Sequence, residues 1–148
     1  MLKNGVELEF GEIKAGSVAT YNRIFPSKMS TKSFVRLYTL HLLCNHREMY
    51  GKEISGEIES AFGSKWKPSH GTLYPLLKTL ETEGYLIGEW EDEDKKTKKS
   101  YRITKQGREY YENELRQNEN MFIDSYNMVV KILNELYGQN KPFLINRI

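Results

Sequence analysis

The chain has one cysteine, Cys44, and three histidines in 148 residues. One thiol closes no intrachain disulfide, which excludes a disulfide-stapled scaffold and agrees with a reducing compartment. Long apolar runs are missing too: the longest, 37–44, is interrupted by Thr39 and His41. It falls far short of the roughly 20 residues that a membrane-spanning helix needs. Residues 1–30 hold no apolar segment of the secretory kind, carrying Glu7, Glu9, Glu12 and Lys14 among several glycines. No membrane association is expected, and cytoplasmic residence is. There is no glycine-rich phosphate loop, no nucleophile elbow, and no histidine with an evident acid or nucleophile beside it, so neither an enzyme nor a cofactor is expected. Glu81, Glu83, Glu109, Glu112 and Glu114 read as surface charges on helices.

What remains is an ordinary soluble composition, 39% hydrophobic and 28% charged with a net charge of +2. It suits one domain with an appended element. Repeats and low-complexity segments are absent.

Val6, Leu8 and Phe10 alternate with Glu7 and Glu9, a period-2 pattern compatible with one strand. Residues 33–45 predict a helix capped by Thr31 or Ser33 and apolar on most sides. Gly51 breaks that pattern, after which Ile54, Ile58, Ala61 and Phe62 mark a second, amphipathic helix ended by Gly63. A third helix carries Leu73, Leu76, Leu77 and Leu80 on one face and closes at Gly84. Pro75 allows two starts: Ser69 as cap with a kink at Gly71, or a regular helix from Thr72. The first is preferred. Segments 85–90 and 100–104 read as an antiparallel hairpin with a long charged loop. Thr104 then caps a helix over 105–137, with Tyr111, Leu115, Asn118, Phe122, Tyr126, Val129, Leu133 and Leu136 spaced by three or four. Such a helix is on the order of 50 Å long, more than a small domain buries alone, and implies a partner surface. Gly138 and Pro142 end it, and 143–148 form a tail without an assigned place.

The chemistry concentrates on the third helix and the hairpin. With the leucines turned inward, His70, Tyr74 and Lys78 share a polar flank, and Ser69 and Thr72 stand at its start. Such a helix fits the roughly 12 Å wide major groove of duplex DNA. Across the hairpin and the start of the last helix, Glu89, Glu91, Asp92, Glu93 and Asp94 contribute −5, and Lys95, Lys96, Lys98, Lys99, Arg102, Lys105 and Arg108 contribute +7. Four lysines beside a recognition helix suit phosphate contacts. The preceding acids either pair with these lysines when DNA is absent or repel the DNA backbone; both readings are open.

Tyr50-Gly51-Lys52-Glu53-Ile54, the run from Trp66 through Pro68-Ser69-His70-Gly71-Thr72-Leu73-Tyr74-Pro75 to Glu81, Gly84-Tyr85-Leu86, and Tyr101-Arg102-Ile103-Thr104-Lys105-Gln106-Gly107 resemble PadR-type transcriptional regulators over 31–137. The resemblance implies a mainly α fold with a small β wing: a winged helix-turn-helix over 31–104 and a C-terminal dimerisation helix over 105–138. Residues 1–30 are an extension and 139–148 a tail. It further implies a homodimer on double-stranded DNA, and repression relieved by a small-molecule effector. Carried over by position, Ser69, His70, Gly71, Thr72, Tyr74 and Lys78 form the recognition helix, and Lys95, Lys96, Lys98 and Lys99 the wing tip. Lys65 and Lys67 join them as candidate DNA contacts. Lys52 stands where the family commonly has tyrosine, and can serve as a phosphate contact instead. Leu115, Phe122, Tyr126, Val129, Leu133 and Leu136 would line the dimer core or a ligand pocket within it, core being the commoner role for such a stripe.

Rival readings are weaker. His41, Cys44 and His46 lie within six residues, but structural zinc takes four ligands and His70 is the remaining histidine, so no metal is expected. A winged helix can also serve protein contact or single-stranded nucleic acid, with Trp66, Tyr74 and Trp90 as stacking surfaces, although buried aromatic packing is the commoner use of tryptophan.

Overall fold

A computed structural model describes residues 29–138 of the chain. Its first helix, α1, spans Thr31–Asn45, and Ser30 rather than Thr31 or Ser33 is its N-cap: the Ser33 amide donates to Ser30 Oγ at 3.1 Å. Thr31 already lies inside the first turn, so the residue before it has the extended backbone that a cap requires. Val35, Leu37, Thr39, Leu40, Leu42 and Leu43 are buried, consistent with a helix covered on more than one side.

Strand β1, Met49–Tyr50, was not expected from its two residues and exists through its pairing with a distant strand. Helix α2, Gly51–Ala61, starts at the glycine expected to break the pattern. The Tyr50 amide donates to Glu53 Oε2 at 2.7 Å, which secures that start. At its end Gly63 takes φ +63°, while Gly63 N–H donates to Ser60 O at 3.0 Å and Ser64 N–H to Glu59 O at 2.9 Å. Helix α3, His70–Thr82, ends the same way: Gly84 has φ +81°, and the Gly84 and Tyr85 amides donate to Glu81 O and Leu80 O. The left-handed glycine in each case lets the chain turn back while satisfying the last carbonyls. Of the two starts open to α3, the one at Ser69 is found: the Thr72 and Leu73 amides donate to Ser69 O at 3.0 and 2.9 Å. The helix continues through Pro75, which has no N–H to return to the Gly71 carbonyl.

Strands β2, Leu86–Trp90, and β3, Lys99–Ile103, form the hairpin, and β1 pairs with the outer side of β3 to give the antiparallel order β1-β3-β2. Leu73, Leu76, Leu77 and Leu80 close on Leu40, Leu43, Ile54, Ile58, Leu86 and Tyr101 in one core. Helix α4, Lys105–Tyr137, is capped by Thr104, whose Oγ1 accepts from Gly107 N–H at 3.0 Å and donates to Gly84 O at 2.7 Å. A Cβ on Gly107 would lie 2.2 Å from the Tyr85 carbonyl oxygen, so only glycine lets α4 start this close to the sheet. Tyr110 and Tyr111 pack against the core, but of 33 residues in α4 only Gly107 and Ser125 are buried. The alternating segment 6–10 and the tail 143–148 lie outside the described residues.

Candidate nucleic-acid interface

The leucine face of α3 leaves its other face to solvent. Ser69, His70, Gly71, Tyr74 and Lys78 are exposed, and Thr72 is half-buried with its Oγ1 3.1 Å from Ser69 Oγ. The His70 and Tyr74 rings stack at 5.0 Å, 22° from parallel. Tyr74 then reaches across to the start of α2, where a Cβ on Gly51 would lie 2.8 Å from Tyr74 Cε1 and 3.1 Å from its hydroxyl. The first turns of α3 and the N-terminal end of α2, with exposed Lys52, therefore adjoin.

The wing returns to the same place. Lys98 Nζ lies 6.0 Å from the centre of the Tyr50 ring, one residue before α2. At the tip Asp92 organises the turn: its Oδ1 accepts from the Asp94 and Lys95 amides at 3.0 and 3.1 Å, and its carbonyl from Lys96 N–H at 2.8 Å. Lys96 sits in the left-handed region at φ +47°, and Lys95, Lys96 and Lys98 are exposed. Lys65 and Lys67 are exposed in the turn before α3, with Lys67 Nζ 3.7 Å from Glu59.

Lys99, expected at the wing tip with the other lysines, is turned inward. Its Nζ donates to Glu81 Oε2 on α3 at 2.7 Å and lies 5.3 and 5.6 Å from the Trp90 and Tyr101 ring centres. The path crosses Gly88, where a Cβ would meet Lys99 Cε at 2.4 Å. Lys99 thus ties the wing to α3 in place of extending the basic tip. Sequence reasoning treated Glu81 as a surface charge and passed over Gly88; a glycine inside a strand was the available signal of a close approach.

Along α4 the expected stripe is divided. Leu115, Tyr126 and Leu136 are exposed, while Phe122, Val129 and Leu133 are half-buried. Ile123 and Ile132 are exposed as well, so the uncovered apolar surface is broader than one stripe. The joint between α1 and α4 is specific. Arg36 donates to the Tyr110 hydroxyl at 3.2 Å, pairs with Glu83, and lies over the Tyr85 and Tyr110 rings, themselves stacked at 4.3 Å. His41 Nδ1 is 2.8 Å from the Tyr111 hydroxyl, and Arg108 donates to the Cys44 carbonyl at 3.1 Å. Burial pushes the Cys44 thiol up, which favours its protonated form. Among the described residues no three His, Cys, Asp or Glu side chains are grouped to hold a metal. Nor is any helix there long and apolar enough to cross a membrane.

Comparison with known proteins agrees with this architecture. A transcriptional regulator of Mycobacterium tuberculosis is 36% identical over 77 residues, covering 52% of this chain and 68% of that one. A transcriptional regulator structure from Clostridium thermocellum is 26% identical with a TM-score of 0.52, covering 70% of this chain and 90% of that one. A PadR-like transcription factor from Bacteroides fragilis is 25% identical with a TM-score of 0.51, covering 66% and 91%. The model of the transcriptional regulator PadR-like family matches residues 39–113, which run from the middle of α1 through the wing into α4. With just over half its length matched, and with the winged sheet and the two glycine-terminated helices in place, this chain belongs to the PadR-like family of transcriptional regulators.

Proposed function

We propose that this regulator acts in the cytoplasm as a homodimer that binds duplex DNA sequence-specifically and represses transcription. The observation that carries this reading is the convergence of three features. The exposed polar face of α3 adjoins the start of α2 with Lys52 through Tyr74 and Gly51, and the wing comes to the same end of α2 through Lys98, which lies over the Tyr50 ring, with Lys95 and Lys96 exposed farther along the same loop. In this reading Ser69, His70, Gly71, Thr72, Tyr74 and Lys78 meet the major groove, and Lys52, Lys65, Lys67 and the three wing lysines meet phosphates. The DNA-binding unit is 31–104 and the dimerisation helix 105–138. Leu115, Phe122, Tyr126, Val129, Leu133 and Leu136, joined by Ile123 and Ile132, supply apolar surface for a second copy. A small apolar effector binding among them would release the DNA by changing how the two α4 helices pack.

Fluorescence anisotropy against duplex DNA from the protein's own upstream region, a scrambled duplex and a single strand, over a salt series, tests the reading. Two protomers per duplex, a preference for the native sequence and a weak response to the single strand are expected. Lys96→Ala should weaken binding to every duplex and reduce the salt slope by about one. Equal weak binding to all three probes would turn the reading toward protein contact, and a monomer in sedimentation would remove the dimer.

A further inference from the structure

The wing carries its own anions within reach of its cations. Glu91 Oε2 lies 3.7 Å from Lys98 Nζ, and Asp92 Oδ2 lies 3.9 Å from Lys95 Nζ. Glu91, Lys95 and Lys98 are exposed and Asp92 is half-buried, and pairs this open to solvent contribute little to stability. Their importance lies in which anion those ammonium groups already face when DNA arrives.

The fold keeps both residues beside their lysines. Asp92 Oδ1 holds the amides of Asp94 and Lys95, so its charge is fixed at the turn that presents the lysines. Glu91 N–H donates to Lys98 O at 2.9 Å, which keeps the two residues opposite each other at the mouth of the loop. The wing is thus built with two internal counterions.

We infer that Glu91 and Asp92 attenuate DNA binding by competing with phosphate for Lys98 and Lys95. The inference rests on the wing–DNA reading above and adds how the strength of that contact is set. A phosphate that approaches Lys95 or Lys98 meets a neighbouring carboxylate. Once the lysine turns to the phosphate, the released carboxylate gathers a cation from solution. Each such pair therefore gives less net ion release than a lysine alone, and so lower affinity and a shallower salt dependence. Because phosphates carry no sequence, the attenuation applies to operator and unrelated DNA alike.

Asp92→Asn and Glu91→Gln test this, each removing a charge; the asparagine Oδ1 still accepts the two amides of the turn. Anisotropy on operator and scrambled duplexes should show each variant binding both about two- to fivefold more tightly at low salt. The salt slope should steepen by up to about one per carboxylate, and the advantage should vanish at high salt. Lys96→Ala, whose side chain forms no ion pair among the described residues, is measured in parallel. If it weakens binding while both acid variants leave affinity and slope unchanged or lower them, the wing contacts DNA and the attenuation is wrong. If neither the lysine nor the acid variants change binding, the wing reading fails and takes the attenuation with it.

Discussion

The Tyr74 ring lies so close to Gly51 that a Cβ there would come within 2.8 Å of its Cε1. The contact joins the outer face of α3 to the first residue of α2, and the stack with His70 completes it. Gly51→Ala should therefore push the ring off its seat at a cost of about 1 kcal/mol, and change operator affinity more than stability. In a Tyr74→Ala background the same substitution should be neutral or stabilising, because alanine is the better helix former. Urea unfolding of the four proteins in this cycle measures the coupling. Additive effects would mean that the two residues do not touch.

Thr104 holds the turn between α3 and β2 to the start of α4 through the donated bond to Gly84 O and the accepted bond from Gly107 N–H. Thr104→Ala should lower the unfolding free energy by about 1–2 kcal/mol, and Thr104→Ser should restore most of it. Failure of serine to rescue would assign the loss to the methyl group's packing.

Tyr101 is 5% exposed, and burial, with Glu81 and Tyr74 nearby, pushes its phenol from 10.0 up to about 12. Its neutral form is favoured in the folded state, so the stability it contributes is complete below pH 10 and is lost as pH rises toward about 12. Phenolate absorbance in an alkaline titration should contain a late component that Tyr101→Phe removes. Unchanged titration in that variant would overturn the assignment.

Thr39 is fully buried in α1, and its hydroxyl has no hydrogen-bond partner among the described residues. Thr39→Val keeps the shape and removes the unpaired oxygen, so thermal or urea unfolding should show a gain of about 1 kcal/mol. A loss instead would place a partner on that hydroxyl.

Much of this protein is local in origin and so is determined by sequence alone. Leucines at helical spacing on α3, a threonine cap at 104 and glycines at 63 and 84 each state a boundary through near-neighbour bonds. The polar flank of α3 follows once its leucine face is known, and four lysines in a row of charges mark the wing. Tertiary structure decided what depends on residues far apart in the chain. Met49–Tyr50 is a strand because β3 lies beside it, Gly51 opens α2 under the Tyr74 ring, and Lys99 leaves the basic tip because Glu81 waits across Gly88. Spacing along one segment fixes which way a side chain points from its own backbone, while the partner it meets there is supplied by another segment brought near only when the core closes.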